Sequence, residues 1–126
     1  MTEKEIKEQL NFILDEIEDG NDSGELLNDV GVAYYLLGEF EKSRHYLKKA
    51  VDKNRISAYL FNLANTYSQL NQPDFAIDAF LQVLELDAAH TGSLNNLADE
   101  YERKGDAENA HELFHYLTHI QGTILF

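Results

Sequence analysis

A segment near the end of the chain has the residue types and spacing of a zinc-dependent peptide hydrolase site. It reads His111-Glu112-Leu113-Phe114-His115, with two imidazoles one helical turn apart and a glutamate beside the first. In that chemistry the imidazoles hold a zinc ion and the glutamate activates a water molecule. Whether the segment can do this depends on a third metal ligand and on the helix face that the histidines occupy.

The sequence supplies no third ligand of the usual kind. None of the residues after His115 is acidic, and the longer form of the motif would need a glycine and a histidine where Thr118 and Gln121 stand. His119 continues the row, and three imidazoles on successive turns could chelate a metal ion weakly. We therefore interpret the segment as a solvated helix face, with His111, His115 and His119 as weak metal candidates.

No other set of residues indicates catalysis. The chain lacks a glycine-rich phosphate loop, a Gly-x-Ser-x-Gly turn and any cysteine. Adjacent acidic pairs such as Asp15-Glu16 and Asp99-Glu100 point apart on a helix, and we interpret them as solvated. The sequence predicts neither enzyme activity nor a cofactor.

Length and charge limit the kind of protein and its partners. The chain has 126 residues, about one domain, with 44% hydrophobic residues and a formal net charge of -13. Nucleic acid and anionic membranes attract clustered basic side chains, so neither is an expected partner. No apolar run approaches the roughly 20 residues that span a bilayer, and the first residues lack a secretion signal, so we expect a cytoplasmic protein.

Apolar and small residues recur along the chain with helical spacing and a period of 33 or 34 residues. A first helix carries the pattern Leu27, Val30, Gly31, Tyr34, then Leu60, Leu63, Ala64, Tyr67, then Leu94, Leu97, Ala98, Tyr101. A second carries Ser43, Leu47, Ala50, then Ala76, Phe80, Val83, then Ala110, Phe114, Leu117. Tight turns separate the paired helices at Gly38-Glu39, Asn71-Gln72-Pro73 and Gly105-Asp106. This alternation of small and large residues predicts a stack of helix pairs.

Residues 24 to 120 resemble three tetratricopeptide repeats (TPRs), whose period is 34 and whose pattern joins Leu, Gly or Ala, Tyr, Ala, Phe and Ala at these offsets. The chain departs from the family pattern in lacking the tryptophan of the first helix and the closing proline. The resemblance implies an all-α fold, a TPR-like right-handed α-solenoid of antiparallel helix pairs with about seven helices. The implied organisation is a capping helix (1–22), TPR 1 (24–56), TPR 2 (57–90), TPR 3 (91–120) and an apolar C-terminal tail (121–126).

The two ends of the stack are expected to differ. Residues 3–19 form an amphipathic helix opened by the capping box Thr2-x-x-Glu5, and we interpret it as a cap over the first repeat. No comparable helix follows the third repeat, where Phe114 is predicted to lie in the core. The tail Ile124-Leu125-Phe126 either folds back or mediates self-association through this uncapped end.

The groove of the solenoid is the predicted binding site, because the first helices of TPR stacks line a concave face. The predicted partner-binding residues are Asn28, Val32, Tyr35, Phe61, Asn62, Asn65, Asn95, Asn96 and Asp99. Asn62 and Asn96, with Asp29 at the equivalent place, resemble the asparagine ladder by which some TPR proteins hold an extended peptide, although asparagines on a helix surface can also be simply solvated. Val32, Tyr35 and Phe61 are predicted to form an apolar pocket.

The resemblance also argues against one class of partner. TPR domains that hold the acidic C-terminal tails of heat-shock chaperones use a clamp of Lys, Arg and Asn. The matching places here are Asn28, Val32, Asn62, Gly92 and Asn96, and only Asn62 agrees fully. Without basic residues the groove should repel a terminal carboxylate, so a neutral or basic segment fits better.

The sequence thus predicts a non-enzymatic adaptor that binds a protein or peptide segment in the concave groove. One alternative is a self-associating scaffold, such as a homodimer, joined through the uncapped C-terminal helix and tail. A more remote alternative is a zinc-dependent hydrolase using the histidine motif. The sequence does not identify the partner, since a fold indicates a mode of binding and not a ligand.

Overall fold

The computed structural model describes the backbone of residues 1–125 and the side chains of residues 1–119. Seven α-helices and no strand occur in this described backbone: α1 Glu3–Glu18, α2 Gly24–Leu36, α3 Phe40–Lys53, α4 Ser57–Gln69, α5 Pro73–Leu86, α6 Thr91–Lys104 and α7 Ala107–Leu125. The helices from α2 onward pack as three pairs: α2 with α3, α4 with α5, and α6 with α7. Neighbouring pairs are joined by packing of α3 against α4 and of α5 against α6. The predicted all-α, TPR-like solenoid is confirmed.

The turns within the pairs lie where the sequence predicts them. The residue at each reversal adopts a left-handed backbone conformation, with φ of 76° at Gly38, 56° at Asn71 and 83° at Gly105. Glycine and asparagine tolerate this conformation better than other residues, which explains their recurrence at this place. Pro73 occupies the first turn of α5, where a missing backbone N–H costs nothing.

Small residues allow the paired helices to approach closely. A Cβ atom built on Gly31 would lie 2.5 Å from Cγ of Leu47, so no larger residue fits without displacement. The hydroxyl of Ser43 donates a hydrogen bond to the carbonyl of Gly31 at 2.7 Å and lies 3.2 Å from the hydroxyl of Thr66 in the next pair. These contacts confirm the packing role predicted for the small positions.

The last helix contradicts one prediction, that Phe114 belongs to the core. Phe114 is 41% exposed, whereas Leu47 and Phe80 at the equivalent places are fully buried at 0%. In the first two pairs the first helix of the next pair packs against the second helix. No helix after α7 lies among the described residues and none of the described helices covers Phe114, while Ala110 and Leu117 are buried as predicted on the helix that packs against α6.

The N-terminal helix packs against α2 and begins at the predicted cap, where the backbone N–H of Glu5 donates to the hydroxyl of Thr2 at 3.2 Å. Leu10 is buried, and the other apolar residues of its stripe are half-buried. At the opposite end the α7 backbone continues to Leu125 without a break at residue 121. The side chains of residues 120–126 lie outside the described residues, so the apolar tail stays a prediction. No helix of the described chain has the length and apolar composition needed to cross a bilayer.

Candidate functional site

The first helices of the three pairs bring most of the predicted binding residues onto one face. Helix α4 contacts both α2 and α6, so the three helices lie side by side, and we call their shared outer surface the groove. Two predicted residues, Asn95 and Asp99, are exposed. The other predicted residues, all half-buried, are Asn28, Val32, Tyr35, Phe61, Asn62, Asn65 and Asn96.

The groove asparagines are joined in pairs across neighbouring helices. Nδ2 of Asn62 donates a hydrogen bond to Oδ1 of Asn28 at 3.0 Å, and Nδ2 of Asn96 donates to Oδ1 of Asn65 at 2.9 Å. Each amide carries two N–H donors and one carbonyl acceptor, so a single bond uses only part of its capacity. The pairs therefore orient the amides and connect the repeats, a role that the sequence did not reveal.

The predicted apolar pocket forms only in part. A cavity of about 80 Å³ is lined by Val32, Tyr35, Leu47, Asn62 and Asn65. Phe61, which was predicted to complete this pocket, does not line it. Its ring instead lies 4.8 Å from the His90 ring and 6.1 Å from the Phe80 ring, measured between centroids. Phe61 is half-buried beside α5 and the residue that precedes α6, so its part in a binding pocket stays a prediction.

A larger polar cavity of about 390 Å³ opens at the α4–α6 end of the groove. Its lining residues are Tyr35, Asn65, Ser68, Gln69, Asn96, Asp99, Glu100 and Arg103. We call this cavity the polar pocket. It unites residues from all three first helices, which a binding site for an extended segment requires.

Glu100 in the polar pocket corrects the interpretation of Asp99-Glu100 as a solvated pair, because its side chain is only 3% exposed. Its Oε1 accepts hydrogen bonds from the Ser68 hydroxyl and, at 3.0 Å, from Nη1 of Arg103. Nη1 of Arg103 also donates to the Ser68 hydroxyl at 2.8 Å. The repeat register could have indicated that Glu100 is buried, because the equivalent residue in the second repeat, Thr66, is fully buried.

An apolar cavity of about 340 Å³ lies between α1 and α2, beside the groove. Its apolar lining includes Ile6, Leu10 and Val32, and Asp29 stands at its edge. Partial burial of Asp29, which is exposed over much of its surface, raises its pKa above the ordinary value of 3.8, and the negative charge of Glu25 raises it further. Helix α1 therefore adds apolar surface next to an acidic side chain.

The histidines of the opening motif lie away from the groove, on the last helix. His111, His115 and His119 are all exposed on α7. Among the side chains that the structure describes, no group of three histidines, cysteines or acids is placed to hold a metal ion. His111 and Phe114 instead line a cavity of about 300 Å³ between α6 and α7 at the end of the stack.

Comparison with protein families identifies the repeats. Two models described as tetratricopeptide repeat match residues 24–57 and residues 57–90. Among curated proteins, anaphase-promoting complex subunit CDC16 of Saccharomyces cerevisiae is 41% identical over 69 residues. That match covers 48% of this chain and 8% of the yeast protein, so the chain spans a small part of its relative.

Solved structures share the fold at low sequence identity. The crystal structure of MamA protein has a TM-score of 0.83 and 18% identity, over 86% of this chain and 60% of that one. YrrB, described as a TPR protein with an unusual peptide-binding site, has a TM-score of 0.82 and 23% identity, over 87% of this chain and 57% of that one. The first TPR of Spaghetti (RPAP3), bound to the HSP90 peptide SRMEEVD, has a TM-score of 0.77 and 17% identity, over 81% of this chain and 82% of that one.

Proposed function

The chain belongs to the tetratricopeptide repeat family, and from this premise we propose that it is a non-enzymatic adaptor that binds a peptide or partner segment in its groove. Proteins of similar fold have been solved with a peptide-binding site or with a bound peptide, which supports this mode of interaction. We place its action in the cytoplasm. We also expect its partner to be a protein, not nucleic acid or a membrane.

One observation carries the proposal: oriented amides lie between cavities on the same face. The Asn62–Asn28 and Asn96–Asn65 hydrogen bonds hold their side chains between the cavity at Val32 and the polar pocket. Groups that are already oriented lose little conformational entropy when a ligand arrives. An extended peptide could bond its backbone to the remaining amide groups and insert side chains into the cavities on either side.

The charges of the groove favour a neutral or basic segment. Asp29, Asp99 and Glu100 lie along it, and its cation Arg103 is already bonded to Glu100 and Ser68. An acidic tail would meet like charges without a free basic side chain to compensate them. The partner of the Spaghetti domain, SRMEEVD, is acidic, so we propose that this chain differs from that domain in its ligand.

The groove assignment is tested by substituting Asn62 and Asn96 by alanine together. Proteins captured from the native host by the wild type and by this variant would be compared by quantitative mass spectrometry. We expect the captured set to shrink while the circular dichroism spectrum is unchanged. Asn11→Ala, an exposed asparagine on α1, serves as the control and should capture the wild-type set. An unchanged set for the double variant would show that the groove is not the binding site.

A second function, self-association as a scaffold, is favoured by Phe114. This ring is 41% exposed beside a cavity between α6 and α7, where a second copy could pack. Light scattering would compare the full chain with a chain truncated after Gln121. A dimer of the full chain supports the scaffold, and the truncated chain, which keeps Phe114, shows whether the tail is also needed. If both are monomers, the scaffold is wrong.

A further inference from the structure

The polar pocket contains a buried carboxylate that is only half paired. Oε1 of Glu100 accepts hydrogen bonds from Ser68 and Arg103, but Oε2 is buried and has no hydrogen-bond partner among the described residues. Buried polar atoms in native proteins are nearly always hydrogen-bonded, and an unpaired charged oxygen costs more than a neutral one. A donor brought by a ligand would remove this cost.

Two neighbouring donor atoms bond to groups other than Oε2. Nη1 of Arg103 is shared between the Ser68 hydroxyl and Oε1 of Glu100, and Nδ2 of Asn96 bonds to Asn65. The residue that carries the unpaired oxygen lines the polar pocket, so a small displacement of the Glu100 side chain would open Oε2 to a ligand there. This placement distinguishes Glu100 from a carboxylate whose role is to hold the fold together.

The charges around the cavity define the kind of donor that fits. Two carboxylates, Asp99 and Glu100, face one guanidinium, Arg103, so the pocket has an excess of negative charge. A neutral amide would satisfy the hydrogen bond but leave this excess uncompensated, whereas a cation satisfies both. The Tyr35 ring lines the same cavity and offers a surface for the methylene groups and charge of a long basic side chain.

We propose that the polar pocket binds the cationic end of a lysine or arginine side chain of the partner, with Oε2 of Glu100 as its acceptor. The proposal rests on the proposed function, since it requires a segment lying in the groove. It makes Glu100 the residue that selects a basic side chain, while Asp99 adds a second, more exposed charge. It also explains why a carboxylate stands where the second repeat has Thr66.

The test is selection from a phage-displayed library of random peptides, with the full chain as bait. Wild type, Glu100→Gln and Glu112→Gln would be compared. The Glu100 change removes the charge and keeps the shape, and Glu112→Gln makes the same change on the exposed surface of α7. We expect wild type and the Glu112 variant to enrich peptides with Lys or Arg at one fixed position. The Glu100 variant should lose most of that preference.

Affinities of one selected peptide make the test quantitative. A second peptide carries glutamine in place of the selected Lys or Arg. The wild-type protein should bind the basic peptide at least about tenfold more tightly than the glutamine peptide, as expected for a charge-assisted hydrogen bond. In Glu100→Gln this ratio should fall to the small preference that the more exposed charge of Asp99 alone provides. Should circular dichroism show that this variant is unfolded, Asp99→Asn replaces it, because Asp99 is exposed, and should reduce the ratio.

Each other outcome overturns the proposal in a recognisable way. Enriched peptides without a preferred basic position would refute the cation pocket and leave peptide binding in the groove intact. A basic preference that persists undiminished in the Glu100 and Asp99 variants would also refute it. Enrichment of no sequence by the wild type would contradict both the cation pocket and the proposed function.

Discussion

Nδ2 of Asn62 lies 3.0 Å from Oδ1 of Asn28, and this hydrogen bond joins the first helix of one repeat to the first helix of the next. The same kind of bond joins Asn96 to Asn65. Asparagines that resemble a ladder for a peptide therefore also bond to one another. The bonds join neighbouring repeats, and the proposed contact with a peptide would use the amide groups that they leave free.

Removing the acceptor of this bond should lower stability. Asn28→Ala deletes the partner of Asn62, and we expect it to cost about 1 kcal/mol of unfolding free energy relative to Asn95→Ala. The control also replaces a groove asparagine by alanine, but Asn95 is exposed. Both variants gain the same helix propensity, so this gain cancels when their unfolding free energies are compared. Urea unfolding of both variants measures the difference. Equal midpoints and slopes would show that the bond contributes nothing.

The acidic peptide SRMEEVD should not bind to the groove. Fluorescence anisotropy with labelled peptide is expected to show no saturation up to about 1 mM protein at physiological salt. Lowering the salt should not promote binding, because the excess groove charge is negative and repulsion is less screened. Saturable binding that strengthens at low salt would mean that basic side chains such as Arg103 dominate the groove.

Equivalent aromatic residues in the second and third repeats should differ in their contribution to stability. Phe80→Ala is expected to cost about 3–5 kcal/mol because it opens a cavity in the core, whereas Phe114→Ala should cost less than about 1 kcal/mol. Thermal and urea unfolding at several protein concentrations would measure both. A large, concentration-dependent cost for Phe114→Ala would instead indicate that a second copy covers this ring.

Asp29 should make the stability of the protein depend on pH. Its pKa is raised above 3.8 by burial and then by Glu25. A carboxyl that binds its proton more tightly in the folded state contributes its full stability below its unfolded pKa and loses it as the pH rises through its folded pKa. The ionised group is therefore a cost at about pH 7, and Asp29→Asn should raise the Tm there.

Thermal unfolding of the wild type and Asp29→Asn across the acid range tests this dependence. The advantage of the variant should shrink as the pH falls and disappear below the ordinary value of 3.8. Glu8→Gln, an exposed acid on α1, provides a control for the loss of one charge. A gain for Asp29→Asn that stays constant with pH would contradict the assigned cause.

The helices, their turns and the family were predictable because they depend on local patterns. The left-handed backbone conformation at each reversal favours glycine or asparagine, as found at Gly38, Asn71 and Gly105. Apolar residues spaced three and four apart indicate the buried face of a helix, whichever helix packs against it. The repetition of these patterns indicated the stack and placed the groove on the first helices. The binding role of the groove residues stays a proposal.

The pairing and burial of individual side chains depended on contacts between repeats. Phe114 matches Phe80 in type and register, yet among the described helices a following helix covers Phe80 and none covers Phe114. Glu100 looks like any surface acid until α4 packs against α6 and brings Ser68 to its carboxylate. Burial and hydrogen bonding are relations between residues about one repeat apart, so the packed stack decided them and residue type alone could not.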